Sequence, residues 1–215
     1  MEKDLSNYRK VYKKDELLKE NVPENPMELF QKWFYKADNS NSIEEANTMN
    51  IATIGLDNFP KNRIVLLKRF TWEGFIFYTN YNSEKGRSII QNPNVCLSFF
   101  WHTLEQQIII KGKAERIAAN LSDGYFESRP TGSKLSAWAS NQSEIIESRE
   151  ALENKLKSYE RKFENIDIPR PKYWGGFIVK PISIEFWQGR PNRMHDRLRY
   201  SLQDNFEWKI DRLEP

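Results

Sequence analysis

The chain has 215 residues, with 33 basic against 30 acidic side chains and a hydrophobic share of 39%. That is enough for one large domain or two small ones, and its 7 Trp, 9 Tyr and 13 Phe can fill a core despite the modest apolar share. A net charge of +3 gives no strong pull toward nucleic acid, and the single cysteine, Cys96, excludes an intrachain disulfide and fits a reducing compartment.

Residues 1–22 are charged and carry little period, so they read as an extended or loosely helical arm. M-E-K-D-L-S-N-Y-R-K holds no apolar signal core, and no later stretch approaches the ~20 apolar residues of a membrane span. A cytoplasmic protein is the expectation, with neither membrane nor nucleic acid as partner. A helix begins near Asn25, with Asn as cap, Pro26 at the first position, and Leu29, Phe30, Trp33 and Phe34 on one face. Strand signals follow at Met49–Gly55, Arg63–Phe70 and Gly74–Thr79. A short helix, Glu84–Asn92, leads to a strand at Val95–Trp101. From Gln106 the apolar residues alternate, as in a half-buried strand. Residues 119–165 look helical, with a break around R-P-T-G-S. Strands return at Trp174–Lys180, Ser183–Gln188 and Phe206–Arg212. About eight short strands without a βαβ repeat predict an antiparallel, mainly β architecture with helices packed on it, an α+β class. The arm apart, residues 23–215 read as a single domain with a helical insert at about 119–165.

The motifs of common chemistries are absent. His102 and His195 are far apart, no H-E-x-x-H or C-x-x-C occurs, and there is no Walker A, G-x-G-x-x-G or G-x-S-x-G. What remains is a set of cations in apolar or small-residue settings. Arg63 and Lys68 bracket I-V-L-L, either snorkelling from strand ends or holding an anion. Lys85 and Arg87 open a helix, either as a solvated face or as donors to a phosphate. Tyr125, Arg129 and Ser133 gather a phenol, a guanidinium and a hydroxyl that could grip a dianion, or form an ordinary helix end. Gln142 and Ser143 add polar donors in what is otherwise a loop. Trp187 is followed by three arginines, Arg190, Arg193 and Arg197, around His195. Core packing explains Trp187 and a structural role explains His195 equally well.

Taken in order, R-I-V-L-L-K (63–68), F-Y-T-N (77–80), F-W-H-T-L-E-x-Q (100–107), S-R-P-x-x-S (128–133), A-W-x-S-x-Q-S (137–143), W-G-G-F (174–177), E-F-W-Q-G (185–189), R-M-H-D-R (193–197) and W-K-I-D-R-L-E-P (208–215) resemble the pyridoxine (pyridoxamine) 5′-phosphate oxidase family nearly end to end. The resemblance implies an FMN-binding split β-barrel and a homodimer with FMN at the subunit interface. It implies FMN phosphate ligands Arg63 and Lys85, with Gln142 and Ser143 assisting from the other subunit. Ile64, Val65, Leu66, Leu67, Lys68, Tyr78 and Thr79 would line the flavin, and Gln107, Trp187 and Arg197 would address its ring. Lys68, Tyr125, Arg129 and Ser133 would hold the substrate phosphate. Arg193, Met194 and His195 would cover the pyridine, with Arg193, His195 and Arg197 as the catalytic group. Arg9 and Tyr12, in R-K-V-Y, would close as a lid.

The implied reaction is oxidation of pyridoxine or pyridoxamine 5′-phosphate to pyridoxal 5′-phosphate, with dioxygen reduced to hydrogen peroxide, in vitamin B6 biosynthesis and salvage. Competing readings are a split-barrel flavin reductase and a non-enzymatic module binding pyridoxal phosphate or nucleic acid. Three departures stand out. Glu84 replaces a basic residue that often precedes the lysine, with Arg87 as a possible substitute. Met194 replaces a leucine, a volume-conserving change, and Arg190-Pro191 is unusual. Arg63 and Lys68 also lie an odd number of residues apart, so a regular strand would send them to opposite faces unless it bulges or ends early.

Overall fold

The structure is a computed structural model and describes residues 2–215. The arm turns once at residues 5–8, where the Tyr8 N–H donates to the Leu5 carbonyl at 2.9 Å, and forms no helix or strand before a 3-10 turn at Lys19–Asn21. Helix α1, Pro26–Asp38, starts where the sequence places a cap: Asn25 Oδ1 accepts the Met27 N–H at 2.9 Å. Its buried face carries Leu29, Phe30 and Trp33.

The strands are β1 Thr48–Ile54, β2 Pro60–Leu66, β3 Arg69–Thr71, β4 Gly74–Asn80, β5 Asn94–Trp101, β6 Gln106–Arg116, β7 Trp174–Gln188, β8 Asp196–Leu202 and β9 Trp208–Arg212. They form one sheet in the order β2-β1-β5-β6-β7-β4-β3, with β8 on β7 and β9 on β8. The pairs β3–β4, β4–β7, β7–β8 and β8–β9 are antiparallel. Helix α2, Glu84–Gln91, links β4 to β5. The expected helical insert resolves into α3 Ala119–Glu127, α4 Thr131–Ala139 and α5 Arg149–Lys162. This is the antiparallel, helix-decorated class the sequence predicts.

Three local differences have physical causes. The predicted strand Arg63–Phe70 is broken: β2 ends at Leu66 and β3 starts at Arg69. The strand ends early at Leu66, and Lys68, whose N–H donates to the Ile76 carbonyl at 2.9 Å, does not continue β2. The predicted strands on either side of Pro181 are instead one long β7. Proline lacks the N–H a ladder needs, but Pro181 falls between the part paired with β4, ending at Val179, and the part paired with β8, starting at Ser183. Finally, β8 was not expected as a strand. Its buried Leu198 and Tyr200 alternate with arginines, which masked the period of two.

The chain divides into two compact units built from interleaved segments. The first comprises Met1–Asn50, Leu97–Lys111 and Pro181–Pro215, and so includes the arm. Its core contains Phe30, Phe99, Phe186 and Tyr200, each 0% exposed. Phe30 meets Phe99 edge-on at 5.4 Å and Trp33 meets Phe186 at 5.2 Å. The second comprises Ile51–Cys96 and Gly112–Lys180. There Phe77 stacks on Phe177 at 5.8 Å, beside the buried Phe75 and Val179. Each fully buried phenylalanine contributes about 2–3 kcal/mol of transfer free energy.

Candidate active site

The second unit encloses a cavity of about 420 Å³, a size suited to a small-molecule ligand. Ile64, Val65 and Leu66 line it from the end of β2, and Lys68 from the break that follows. Tyr78 and Thr79 enter from β4, Lys85 from α2, Tyr125 from α3, Arg129 from just beyond α3, and Gln142 from the loop after α4. All ten were expected site residues. Asn80, Ser136, Ala137, Ser140 and Trp174 also line it and were missed. Ser136, Ala137 and Ser140 lie along one face of α4 and its end, and small residues at that spacing leave room for a ligand. Trp174 opens β7 and looks like core in the sequence.

Lys85 is only 8% exposed. Its Nζ donates to Thr79 Oγ1 and to Gln142 Oε1, each at 3.3 Å, and both acceptors are neutral. Among the described residues no carboxylate lies within 4.0 Å of it. Burial, with the charge of Arg63 adding to it, pushes the ammonium pKa below its ordinary value. A buried cation with only neutral partners is a site an anion would stabilise. Gln142 reaches this lysine within the same chain, whereas the resemblance places it on the other subunit.

Arg129 lies over the face of Trp174, its guanidinium carbon 4.5 Å from the ring centroid. Its Nη1 is buried without a hydrogen-bond partner. Tyr78, Tyr125 and Trp174 form a cluster of near-parallel rings, with Tyr78 3.9 Å from Tyr125 and 5.5 Å from Trp174, and Tyr125 6.1 Å from Trp174. Burial pushes the Tyr125 phenol up, which keeps it protonated and able to donate. Arg170 braces the wall by donating to the Trp174 carbonyl and to Asp123, both at 2.6 Å.

Four expected residues of the second unit, Leu67, Ser133, Ser143 and Arg63, stand outside the cavity wall. Leu67 is buried. Ser133 sits on α4, its N–H donating to the Pro130 carbonyl at 2.9 Å. Ser143 is exposed with φ of 76°. Arg63 Nη1 donates to Thr53 Oγ1 at 2.7 Å and to the Lys61 carbonyl at 2.8 Å. Glu84 turns to Lys61 at 2.8 Å, which holds its carboxyl below the usual range, and stands 3.9 Å from Arg63. Arg87 pairs with Glu144 at 3.4 Å and so is engaged elsewhere.

The remaining expected residues lie in the first unit, most of them around the β7–β8 connection. Trp187 pairs with Arg197 in register. The Trp187 and His195 rings are 4.7 Å apart, and Tyr12 packs edge-on at 5.7 Å from each. The Arg190 N–H donates to His195 Nδ1 at 3.1 Å, which leaves the proton of the neutral ring on Nε2. Burial, and then Arg193, push the His195 pKa down. Arg197 is held by Glu185 at 2.8 Å and by the Glu214 carbonyl at 2.8 Å. Arg193 is exposed, adopts φ of 62° beside Asn192 at 57°, and makes no ion pair among the described residues. Met194 and Arg9 are exposed. Gln107 is half-buried on β6, while its neighbour Gln106 bonds Gln188 at 3.0 Å. Among the described residues no group of His, Cys, Asp and Glu is placed to hold a metal ion, and no helix is long and apolar enough to cross a membrane.

Residues 38–162 match the family described as pyridoxamine 5′-phosphate oxidase, and residues 174–215 match its C-terminal dimerisation region. The pyridoxine/pyridoxamine 5′-phosphate oxidase of Flavobacterium psychrophilum is 65% identical over 99% of this chain and 100% of its own. That of Nostoc punctiforme is 49% identical over the full length of both. Among solved structures, PhzG from Burkholderia lata, in complex with tetrahydrophenazine-1-carboxylic acid, superposes with a TM-score of 0.86 at 28% identity, covering 94% of this chain and 98% of that one. A pyridoxamine 5′-phosphate oxidase-related, FMN-binding protein of Nostoc punctiforme shares the fold, with a TM-score of 0.70 at 16% identity over 91% and 99% of the two chains. The chain belongs to the pyridoxine/pyridoxamine 5′-phosphate oxidase family, a family of oxidoreductases with a split-barrel fold.

Proposed function

We propose that this protein is an FMN-dependent oxidase that converts pyridoxine 5′-phosphate or pyridoxamine 5′-phosphate to pyridoxal 5′-phosphate, with dioxygen reduced to hydrogen peroxide. The observation that carries the reading is a single cavity with two separate anion-seeking cations. Lys85 is buried against neutral oxygens, and Arg129 has a buried Nη1 with no partner. Two phosphorylated molecules, a flat cofactor and a small substrate, would satisfy both.

The residues present fit FMN. Lys85, with Gln142 and the nearby Arg63, would hold its phosphate, while Ile64, Val65, Leu66, Tyr78 and Thr79 offer a mixed apolar and hydroxyl wall for the ring. Leu67 and Ser143 would act through the backbone beside that wall. Trp187, Arg197 and Gln107 would address the ring edge. When bound, FMN would supply the acceptor for a hydride from C4′ of the substrate and the route of its electrons to dioxygen.

The chain's own work is positioning. Arg129 and Tyr125 would fix the substrate phosphate by charge-assisted hydrogen bonds, with Lys68 and Ser133 completing the clamp. Arg193, free of any carboxylate, would press on the pyridine ring together with Met194. His195, with its proton on Nε2, would donate a hydrogen bond there and not withdraw a proton. Arg9 and Tyr12 would exclude water from above. The match of residues 174–215 to a dimerisation region supports a homodimer, which sedimentation of the purified protein would test.

The test of function is an absorbance spectrum of the purified protein, then addition of pyridoxine 5′-phosphate without oxygen. Flavin bands that bleach and return with air are expected. Flavin bands that stay unbleached would discard the substrate and favour a reductase or a PhzG-like activity. A protein that stays colourless after addition of FMN would overturn the flavin reading.

A further inference from the structure

We propose that Glu105 is a positioning residue that fixes the N-terminal arm against Trp187 and His195. Glu105 is 2% exposed although it carries a carboxylate. Its Oε2 accepts the Lys13 and Lys14 N–H groups at 2.8 and 3.0 Å, and its Oε1 lies 3.3 Å from Lys10 Nζ. All three donors come from one short stretch of the arm. Among the described residues every donor to this carboxylate comes from the arm.

The main chain of the same residue holds the other side. Glu105 adopts φ of 58°, and its carbonyl accepts the Gly189 N–H at 2.8 Å and Gln188 Nε2 at 3.2 Å. Glu105 thus ties the arm, by its side chain, to the start of the loop that carries Arg193 and His195, by its backbone. Tyr12 is seated between them. A Cβ on Gly189 would stand 2.8 Å from Tyr12 Cγ, so only glycine lets the ring lie there. A second fastening lies further along the arm. Asp196 Oδ2 accepts the Leu17 N–H at 3.1 Å, and Arg212 and Arg190 hold the Leu17 and Asp15 carbonyls at 2.9 and 3.1 Å. Without Glu105 the arm would keep that anchor but lose the one that sets Tyr12.

Chemistry dictates a carboxylate. Two converging backbone N–H groups and an ammonium present donors only, and a carboxylate presents acceptors only. Glu105→Gln would turn an amide N–H₂ toward one of them. The consequence for catalysis rests on the function proposed above, in which Trp187 and His195 face flavin and substrate.

The experiment compares the full-length holoenzyme with its Glu105→Gln and Glu105→Asp variants. In the wild type, the Lys13 and Lys14 amides are expected to exchange with solvent deuterium more slowly than the exposed amides of residues 3–8. Glu105→Gln is expected to speed their exchange about 30-fold and to hasten tryptic cleavage after Lys10, Lys13 and Lys14. It should raise KM for pyridoxine 5′-phosphate about tenfold with kcat and FMN content unchanged, and Glu105→Asp should recover part of the loss. Unchanged exchange and cleavage, or a KM equal to wild type in an active enzyme, would overturn the proposal. If Glu105→Gln does not fold, fast exchange of the two amides in the wild type overturns it, and slow exchange that Lys10→Met accelerates upholds it. Exchange and cleavage need no substrate. If they respond but neither protein oxidises pyridoxine 5′-phosphate, the anchoring role stands and the substrate assignment falls.

Discussion

The β7–β8 connection and the cavity treat their cations in opposite ways. Around the β7–β8 connection, Arg190 meets Glu16 and Asp196, Arg197 meets Glu185, and Arg212 meets Asp196. In the cavity of the second unit, Lys85 finds only neutral oxygens and Arg129 only aromatic faces and one unpartnered nitrogen. A paired arginine is a structural tie, whose charge is already answered. An unanswered buried charge raises the free energy of the empty protein and is stabilised by an anion. By that criterion Lys85 and Arg129 are the cations that the proposed ligands would answer, and Arg190 and Arg212 are ties of the fold; Arg193 is exposed and unpaired, and its assignment rests on the proposed function.

That division can be broken by mutation. The largest effect is expected at Lys85: Lys85→Met should weaken FMN binding about 100-fold, measured by fluorescence titration of the apoprotein. A change under about threefold would place the FMN phosphate elsewhere. Arg193→Ala should lower kcat about 100-fold while FMN retention stays near wild type, and equal loss of both would end its assignment to the substrate. Arg129→Ala should raise KM for the phosphorylated substrate about 30-fold, and Trp174→Leu, which removes the ring under Arg129 together with its packing on Tyr78 and Phe126, about threefold. An unchanged KM would take Arg129 out of the clamp. The smallest effect is on His195. Its imidazole should titrate below the ordinary 6.5, followed by NMR, because burial disfavours the charged ring and Arg193 repels it. The neutral form therefore persists to lower pH than usual. Arg193→Ala should raise the midpoint only part of the way, since burial is the larger cause; no movement would uncouple the two residues.

Much of the cavity was legible because its residues come in short motifs whose order matches a known family, and those motifs name side chains directly. Trp174 was hidden because an indole at a strand start reads as core, and only the Arg129 guanidinium on its face shows its second role. Ser136 and Ser140 were hidden because small polar residues on a helix look like solvated surface. The strand β8 was missed for a related reason: the R-M-H-D-R stretch attracts a chemical reading, although Leu198 and Tyr200 beyond it carry the alternation of a buried strand. The partners of Glu84 were not readable at all. Lys61 lies far from it in sequence, and only the folded chain shows that the carboxylate is neutralised there and not set against a phosphate.

The interruption at Leu67–Lys68 has a consequence for how this chain tolerates change in length. On one side β2 runs to Leu66, and on the other β3 is locked to β4 by Arg69↔Ile76 and Phe70↔Phe75. Between them Leu67 is buried, and Lys68, whose N–H donates to the Ile76 carbonyl at 2.9 Å, lines the cavity. Removing one residue there would leave both strands their partners but draw the lysine back into the pleat, with its ammonium on the wrong face. Loss or gain of a single codon at this point would therefore separate folding from the phosphate contact proposed for Lys68: a chain that still assembles its sheet, yet loses that contact.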